Sequence, residues 1–229
     1  DLILTQKLCD VCAISYREVL EVVKQLPSIP QVMSLDPGTL EDVLRDIRRV
    51  GEATARMEEA QQVVEDLRKR IDLVVKKASM AKTRPKVLSI EWMDPIFVAG
   101  HWIPQMVTLA GGQEGLSTSG QASRQIEWQH VVEYQPEVII VMPCGFSTSS
   151  VLAELPLVTG LVGWDELPAV RDGRLYAVDD DSYYSRSGPR LIDGLEMMAE
   201  MIHPELFSET FRPGTVLAVD RVPFEANTP

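Results

Sequence analysis

Short aliphatic runs alternate with helical stretches, broken once by a long charged segment, and this pattern predicts an α/β protein. The expected architecture is two doubly wound parallel-sheet lobes joined by a long backbone helix. Strands covered on both faces read as unbroken apolar runs, as Leu2–Leu4 and Val138–Val141 do, whereas half-exposed strands alternate. With 229 residues, 45% hydrophobic and 24% charged, the chain suits one large domain or two lobes and excludes a disordered or collagen-like polymer.

Leu2-Ile3-Leu4 opens the chain as a strand expected to be buried on both faces. A helix follows, because Tyr16, Val19, Leu20, Val23 and Leu26 recur at three- and four-residue spacing until Pro27 stops them. Gln31–Leu35 reads as a second strand, closed by the turn Asp36-Pro37-Gly38. Residues 1–38 thus form a partial N-terminal lobe. Acid, aliphatics and a following Cys/Gly loop recur at Asp1–Gln6 and Glu137–Met142, a short internal match that fits two related lobes.

From Thr39 to about Ser79 the chain is charged and helix-forming, with one glycine, Gly51, and no proline. Leu40, Val43, Leu44, Ile47 and Val50 mark one apolar stripe. Ala60, Val63, Val64, Leu67, Ile71, Val74 and Ala78 mark a second, offset stripe. Two helices, folded back as an antiparallel pair, or one helix kinked near Gly51, satisfy this pattern. As a continuous rod it would span roughly 60 Å at 1.5 Å per residue, enough to make 39–82 an interlobe backbone helix. An acidic helix of this kind could also serve as an interaction scaffold.

After Thr83-Arg84-Pro85 the alternation returns and builds a C-terminal α/β lobe over 83–207. The strands are Lys86–Ile90, Glu137–Met142 and Arg174–Val178. The helices run over 103–109, 127–134, 148–158 and 188–202. The tail 208–229 lacks a period, although Val216–Val219 suits an edge strand.

A net charge of -12 repels phosphate backbones and argues against nucleic acid as a partner. No run approaches the ~20 apolar residues of a membrane span. The chain opens on an aliphatic run without an initiator Met, so an upstream portion is expected. Cys9, Cys12 and Cys144 are too few for a disulfide framework and suit a reducing compartment. Walker, Gly-x-Gly-x-x-Gly, Gly-x-Ser-x-Gly and His-Glu-x-x-His signatures are absent, which removes the common enzyme readings.

Three segments together, Asp1–Asp10, Glu137–Met142 and Tyr183-Tyr184-Ser185-Arg186-Ser187-Gly188-Pro189-Arg190, resemble the cobalamin and ferric-siderophore class of periplasmic-binding-protein-like domains. The last is the most specific, with Tyr184, Arg186, Pro189 and Arg190 matching the order of an aromatic-x-x-Arg-x-x-Pro-Arg pattern. The resemblance runs from residue 1 to about Phe207. It implies a binder rather than an enzyme, two lobes on a rigid helix, and an extracytoplasmic setting. It also implies a bound corrinoid or ferric chelate as ligand, with no intrinsic cofactor, and an ABC permease as partner. Permease docking in that family uses one exposed Glu per lobe. Glu18 or Glu21 lies near the first place, but Ser185 stands where the C-lobe Glu is expected.

The residues of the expected cleft are Trp92, His101, Trp102, Phe146, Tyr183, Tyr184, Arg186 and Arg190. Indole and phenol rings offer wide apolar faces to a flat chelate, and arginines near a helix start attract anionic groups. Trp102 also suits the core, and Arg186 also suits a tie to Asp180 or Asp181. His101 with Cys9, Cys12 and Cys144 would supply soft-metal donors, which defines an alternative: an intracellular metal- or corrinoid-handling protein or enzyme without permease docking.

Overall fold

Val138–Val141 is a strand with every side chain buried, and its residues alternate between two separate hydrophobic cores. The computed structural model describes residues 1–6 and 14–219, and most of them are arranged around this strand. The elements begin with β1 (Leu2–Thr5), α1 (Tyr16–Val23), β2 (Gln31–Ser34), α2 (Leu40–Ala53) and α3 (Met57–Ala78). There follow β3 (Lys86–Met93), β4 (Ile96–Val98), α4 (Ile103–Leu109), β5 (Gln113–Glu114), β6 (Arg124–Gln125) and α5 (Trp128–Tyr134). The rest are β7 (Val138–Val141), α6 (Thr148–Glu154), α7 (Pro156–Thr159), α8 (Pro168–Arg171), β8 (Leu175–Val178), α9 (Asp180–Tyr183), α10 (Arg190–Ile202) and β9 (Val216–Ala218).

The large sheet has the order β6-β4-β3-β7-β8-β9, with β5 beside β3. Strands β5, β3, β7 and β8 run parallel, while β4 joins β3, β6 joins β4 and β9 joins β8 by antiparallel pairing. Side chains alternate across a strand. Val87, Val138, Ile140 and Val178 accordingly join the core under α2, α3, α4 and α10, while Leu88, Ile90, Ile139, Val141 and Ala177 join the core under α5 to α8. Each fully buried aliphatic contributes about 1.5–3 kcal/mol. This three-layer arrangement is why the central runs carry no polar alternation. Among the described residues, no helix is long and apolar enough to cross a membrane.

The first strand departs from expectation. β1 pairs in parallel with β2, from Leu2 opposite Gln31 to Thr5 opposite Ser34, but Leu4 is 46% exposed. A two-stranded sheet with one short helix has too little apolar surface to cover both faces, and α1 itself buries only Val23.

Between 39 and 82 the two-helix alternative holds. Thr54 Oγ1 donates to the Val50 carbonyl, Ala55 takes φ +56°, and the chain turns back. Arg68 pairs with Glu41 and Arg48 Nε donates to Gln61 Oε1 at 3.2 Å, contacts that only antiparallel helices make. Gly51 is the point of closest approach, since a Cβ there would lie 2.3 Å from the Ala60 Cβ. The 22 residues of α3 span about 33 Å, roughly half the length of a continuous rod. Both apolar stripes enter the core of the large lobe. Arg70 fastens α3 to α10, donating to Asp193 Oδ1 at 2.6 Å and to both Glu196 oxygens at 2.6 and 2.8 Å.

Beyond Ile90, where the sequence pattern ends the strand, the chain forms a hairpin. β3 continues to Met93 and β4 returns antiparallel, with Trp92 opposite Phe97 and Met93 opposite Ile96. The register shifts between Ile90 and Trp92, so Glu91 occupies a β-bulge. Val216–Ala218 forms the edge strand β9.

Candidate functional site

Parallel α/β sheets bind ligands beyond the carboxyl ends of their strands, where loops diverge from a rigid base. A cavity of about 740 Å³ lies there, within the range of small-molecule pockets, roughly 300–1,000 Å³. Its walls come from four places on the sheet: the bulged end of β3, the turn after β4, the loop after β7, and the segment from α9 to Gly188. Gln6, just past β1, reaches it from the smaller lobe.

Trp92 lines the cavity at 40% exposure. Its indole N–H donates to the Asp94 carbonyl at 3.1 Å, and its ring meets Phe146 edge to face, 5.7 Å between centroids. An aromatic held in this way presents area without losing much side-chain freedom on binding. His101 also lines the wall, at φ +52°. Its N–H donates to the Gln121 carbonyl at 2.6 Å and its carbonyl accepts from Gly120 N–H at 2.9 Å. Those two bonds hold a backbone conformation that L side chains rarely adopt. Its ring lies 5.7 Å from that of Trp102.

Trp102 belongs to both readings made of it. Buried in the core, it still contributes to the cavity floor, and its Nε1–H donates to the Tyr184 carbonyl at 2.8 Å. Tyr184 also borders the cavity while its hydroxyl donates to the Gly194 carbonyl at 3.0 Å. Burial pushes that phenol well above its usual range.

Three expected wall residues lie elsewhere. Phe146 supports Trp92 from the second core and does not face the cavity. Tyr183 is buried in the first core, with Arg212 over its ring, because α9 turns it away from the opening. Arg190, the first residue of α10, is exposed and does not line the cavity. Arg186 does border it, but its guanidinium is engaged: Nη2 donates to Asp181 Oδ1 at 2.6 Å and Nε to the Asp181 carbonyl at 3.0 Å. Of the metal set, Cys144 and His101 share the wall, while Cys9 and Cys12 lie outside the described residues. Among the described residues, no three of His, Cys, Asp and Glu are grouped to hold a metal ion.

The sequence offers Asp180 and Asp181 only as ties for Arg186, and Asp181 is that tie, but sequence reasoning puts neither them nor Glu91 on the wall. Glu91, Asp180 and Asp181 all line the cavity. The bulge re-aims Glu91, whose Oε2 accepts from Ser123 Oγ at 2.5 Å; the same hydroxyl accepts from Gly100 N–H at 3.1 Å. Asp180, 3% exposed, accepts from Gly145 N–H at 3.0 Å and from the Ser185 hydroxyl. Burial, reinforced by the carboxylates of Glu91, Asp181 and Asp179, holds its pKa well above the ordinary value despite the Gly145 amide. The legible signal was the run Asp179-Asp180-Asp181 directly after a strand.

Residues 13–182 match the periplasmic binding protein family. The chain belongs to that family. A relative named as an uncharacterized ABC transporter substrate-binding lipoprotein, YvrC of Bacillus subtilis, is 30% identical over 184 residues, covering 76% of this chain and 54% of that one. The vitamin B12-binding protein of Vibrio parahaemolyticus is 23% identical over 165 residues, covering 71% and 56%. The chain therefore spans about half the length of these curated relatives. The crystal structure of an ABC transporter substrate-binding protein from Listeria monocytogenes superposes with a TM-score of 0.74 at 20% identity, over 89% of this chain and 77% of that one.

In this periplasmic binding protein, Ser185 lies on the cleft wall, hydrogen-bonded to Asp180, where the resemblance set it in place of an outward-facing docking glutamate. Glu18 completes a capping box with Ser15 at the start of α1, and Glu21 pairs with Lys24. These are ordinary tasks of exposed helix charges. The cleft is therefore lined by the indoles of Trp92 and Trp102, by apolar Ile103 and Met142, and by carboxylate and hydroxyl groups of Glu91, Asp180, Asp181, Ser185 and Ser187.

Proposed function

We propose that this chain forms the ligand-holding cleft of the solute-binding component of an ABC-type uptake system, and that its solute is a corrinoid or a metal chelate of flat outline. The observation that carries this reading is Trp92, braced on Phe146 above a cavity of about 740 Å³ floored by Trp102. That combination suits a broad, rigid, mostly apolar guest, which loses little freedom when confined. The family supports a binder rather than a catalyst, and the Vibrio parahaemolyticus relative supports the corrinoid class. The proposed partner is an ABC permease that meets a surface other than the 185 loop, because Ser185 faces inward.

The test is an absorbance and calorimetric titration of the full-length protein with cobalamin, haem and ferric chelates, following tryptophan fluorescence in parallel. Saturable one-to-one binding with quenching is expected for at least one of them. Absence of binding to all three classes rejects the reading.

A further inference from the structure

We infer that the cleft selects solutes of zero or positive net charge whose rim carries amide, hydroxyl or ammonium donors, because Glu91, Asp180 and Asp181 line it against one arginine already bound to Asp181. This inference rests on the function proposed above and names the charge class of its ligand.

The balance of charged side chains is one-sided. Among the described cavity residues, three carboxylates come from two elements: the β3 bulge for Glu91, and the start of α9 for Asp180 and Asp181. Arg186 is the sole Lys or Arg of that wall, and two of its donors close on Asp181. Residues 7–13, which lie outside the described ones, carry one Lys and one Asp, a formal sum of zero. The whole chain adds a background of -12.

A polyanionic chelate is recognised through arginine forks or lysines that receive its charge. Here it would find oxygen atoms. Like charges brought together in a partly dry cleft repel strongly, since the low effective dielectric magnifies each contact. Burial first, and then the carboxylates of Glu91, Asp181 and Asp179, raise the proton affinity of Asp180, so the negative charge of the wall rests on Glu91 and Asp181. The groups suited to these walls are donors. Glu91 carries a second carboxylate oxygen beside the one that accepts from Ser123, and Ser187 adds a hydroxyl to the rim. A corrinoid ring bordered by amides fits this chemistry, as does a neutral or cationic ferric hydroxamate. The same ring bordered by free carboxylates does not.

The experiment titrates the full-length protein with probes paired by shape and opposed in charge. One pair is a corrinoid bearing amide side chains against the same corrinoid as its polycarboxylic acid. The other is a cationic ferric trihydroxamate against an anionic ferric triscatecholate. Within a pair that binds, the amide or cationic member is expected to bind at least about tenfold more tightly, and Glu91→Gln to shrink that ratio by about tenfold. If Glu91→Gln does not fold by circular dichroism, Asp181→Asn, which releases Arg186, is expected to shrink it in the same direction. Equal or tighter binding of the anionic member, or a ratio unmoved by the folded variant, overturns the charge rule alone. Failure of every probe to bind instead overturns the proposed function on which the rule rests.

Discussion

Trp102 donates its indole N–H to the backbone carbonyl of Tyr184 at 2.8 Å, so one buried hydrogen bond joins the turn after β4 to the segment after α9. Both segments line the cleft. Trp102→Phe keeps most of the ring volume but leaves the Tyr184 carbonyl without its donor. Loss of a buried partner costs about 1–3 kcal/mol, and denaturant unfolding is expected to show a decrease in that range. Because the bond ties together two segments of the cavity wall, ligand affinity is expected to fall with it. Unchanged stability would mean that the carbonyl had found another donor.

Asp180 gives the protein a pH signature. Its folded-state pKa is raised, so the folded protein holds this proton more tightly than the unfolded chain does. Stability contributed by the neutral carboxyl is therefore complete below the ordinary carboxylate range, near pH 4. It is lost as pH rises toward the elevated folded value. Asp180→Asn cannot ionise and retains an oxygen for Gly145 N–H. Compared with the parent protein by chemical denaturation, it is expected to gain stability progressively from pH 4 to pH 7.5. A variant less stable than the parent at pH 7.5 would show that the ionised carboxylate is favoured in place.

The parts of this fold readable from sequence are those fixed by local patterns. Val138–Val141 is unbroken because the sheet is covered twice, and Arg190–Ile202 is apolar over most of its length because α10 is buried on most of its surface. The offset between the stripes on either side of Gly51 left two helices or one kinked helix open, and the structure has two. Nothing local distinguished a kink from a reversal, since the deciding contacts join Gly51 to Ala60 and Glu41 to Arg68. The site was half legible for a similar reason. His101, Trp102, Tyr184, Arg186 and Cys144 fall on the cavity because they follow strand ends, and Trp92 because it sits in the last stretch of pairing at the carboxyl end of β3. Phe146 and Tyr183 follow strand ends too, and only the path of their loops turns them to the core. Glu91 reaches the cleft through a bulge, an irregularity created by pairing with β4 rather than by its own neighbours in sequence.

Gly51 supplies a stability test with an unusual sign. In an exposed helix, Gly→Ala stabilises by roughly 0.5–1 kcal/mol. Here the added methyl would meet the Ala60 Cβ at 2.3 Å and the Arg56 carbonyl oxygen at 3.0 Å. Gly51→Ala is therefore expected to destabilise by about 1–3 kcal/mol, the usual cost of overpacking. Ala60→Gly in that background should recover part of the loss, read as a coupling energy in a double-mutant cycle. Stabilisation by Gly51→Ala alone would mean that α2 and α3 stand further apart.

Trp92 separates binding from folding more cleanly than any other residue of the cleft. Its ring is 40% exposed and rests on Phe146, so few core contacts depend on it. Surface changes away from special features usually alter stability by less than about 0.5 kcal/mol. Trp92→Ala is accordingly expected to leave the unfolding midpoint nearly unchanged. Affinity is a different matter: removing a central aromatic from a ligand contact costs 2 kcal/mol or more, about thirtyfold. Trp92→Phe should restore a large share, because a flat ring rather than the indole N–H, which is bound to the Asp94 carbonyl, meets the guest. If Trp92→Ala binds as tightly as the parent protein in a calorimetric titration, the ring is not the lid of the cleft, and the ligand rests on the Trp102 and His101 side alone.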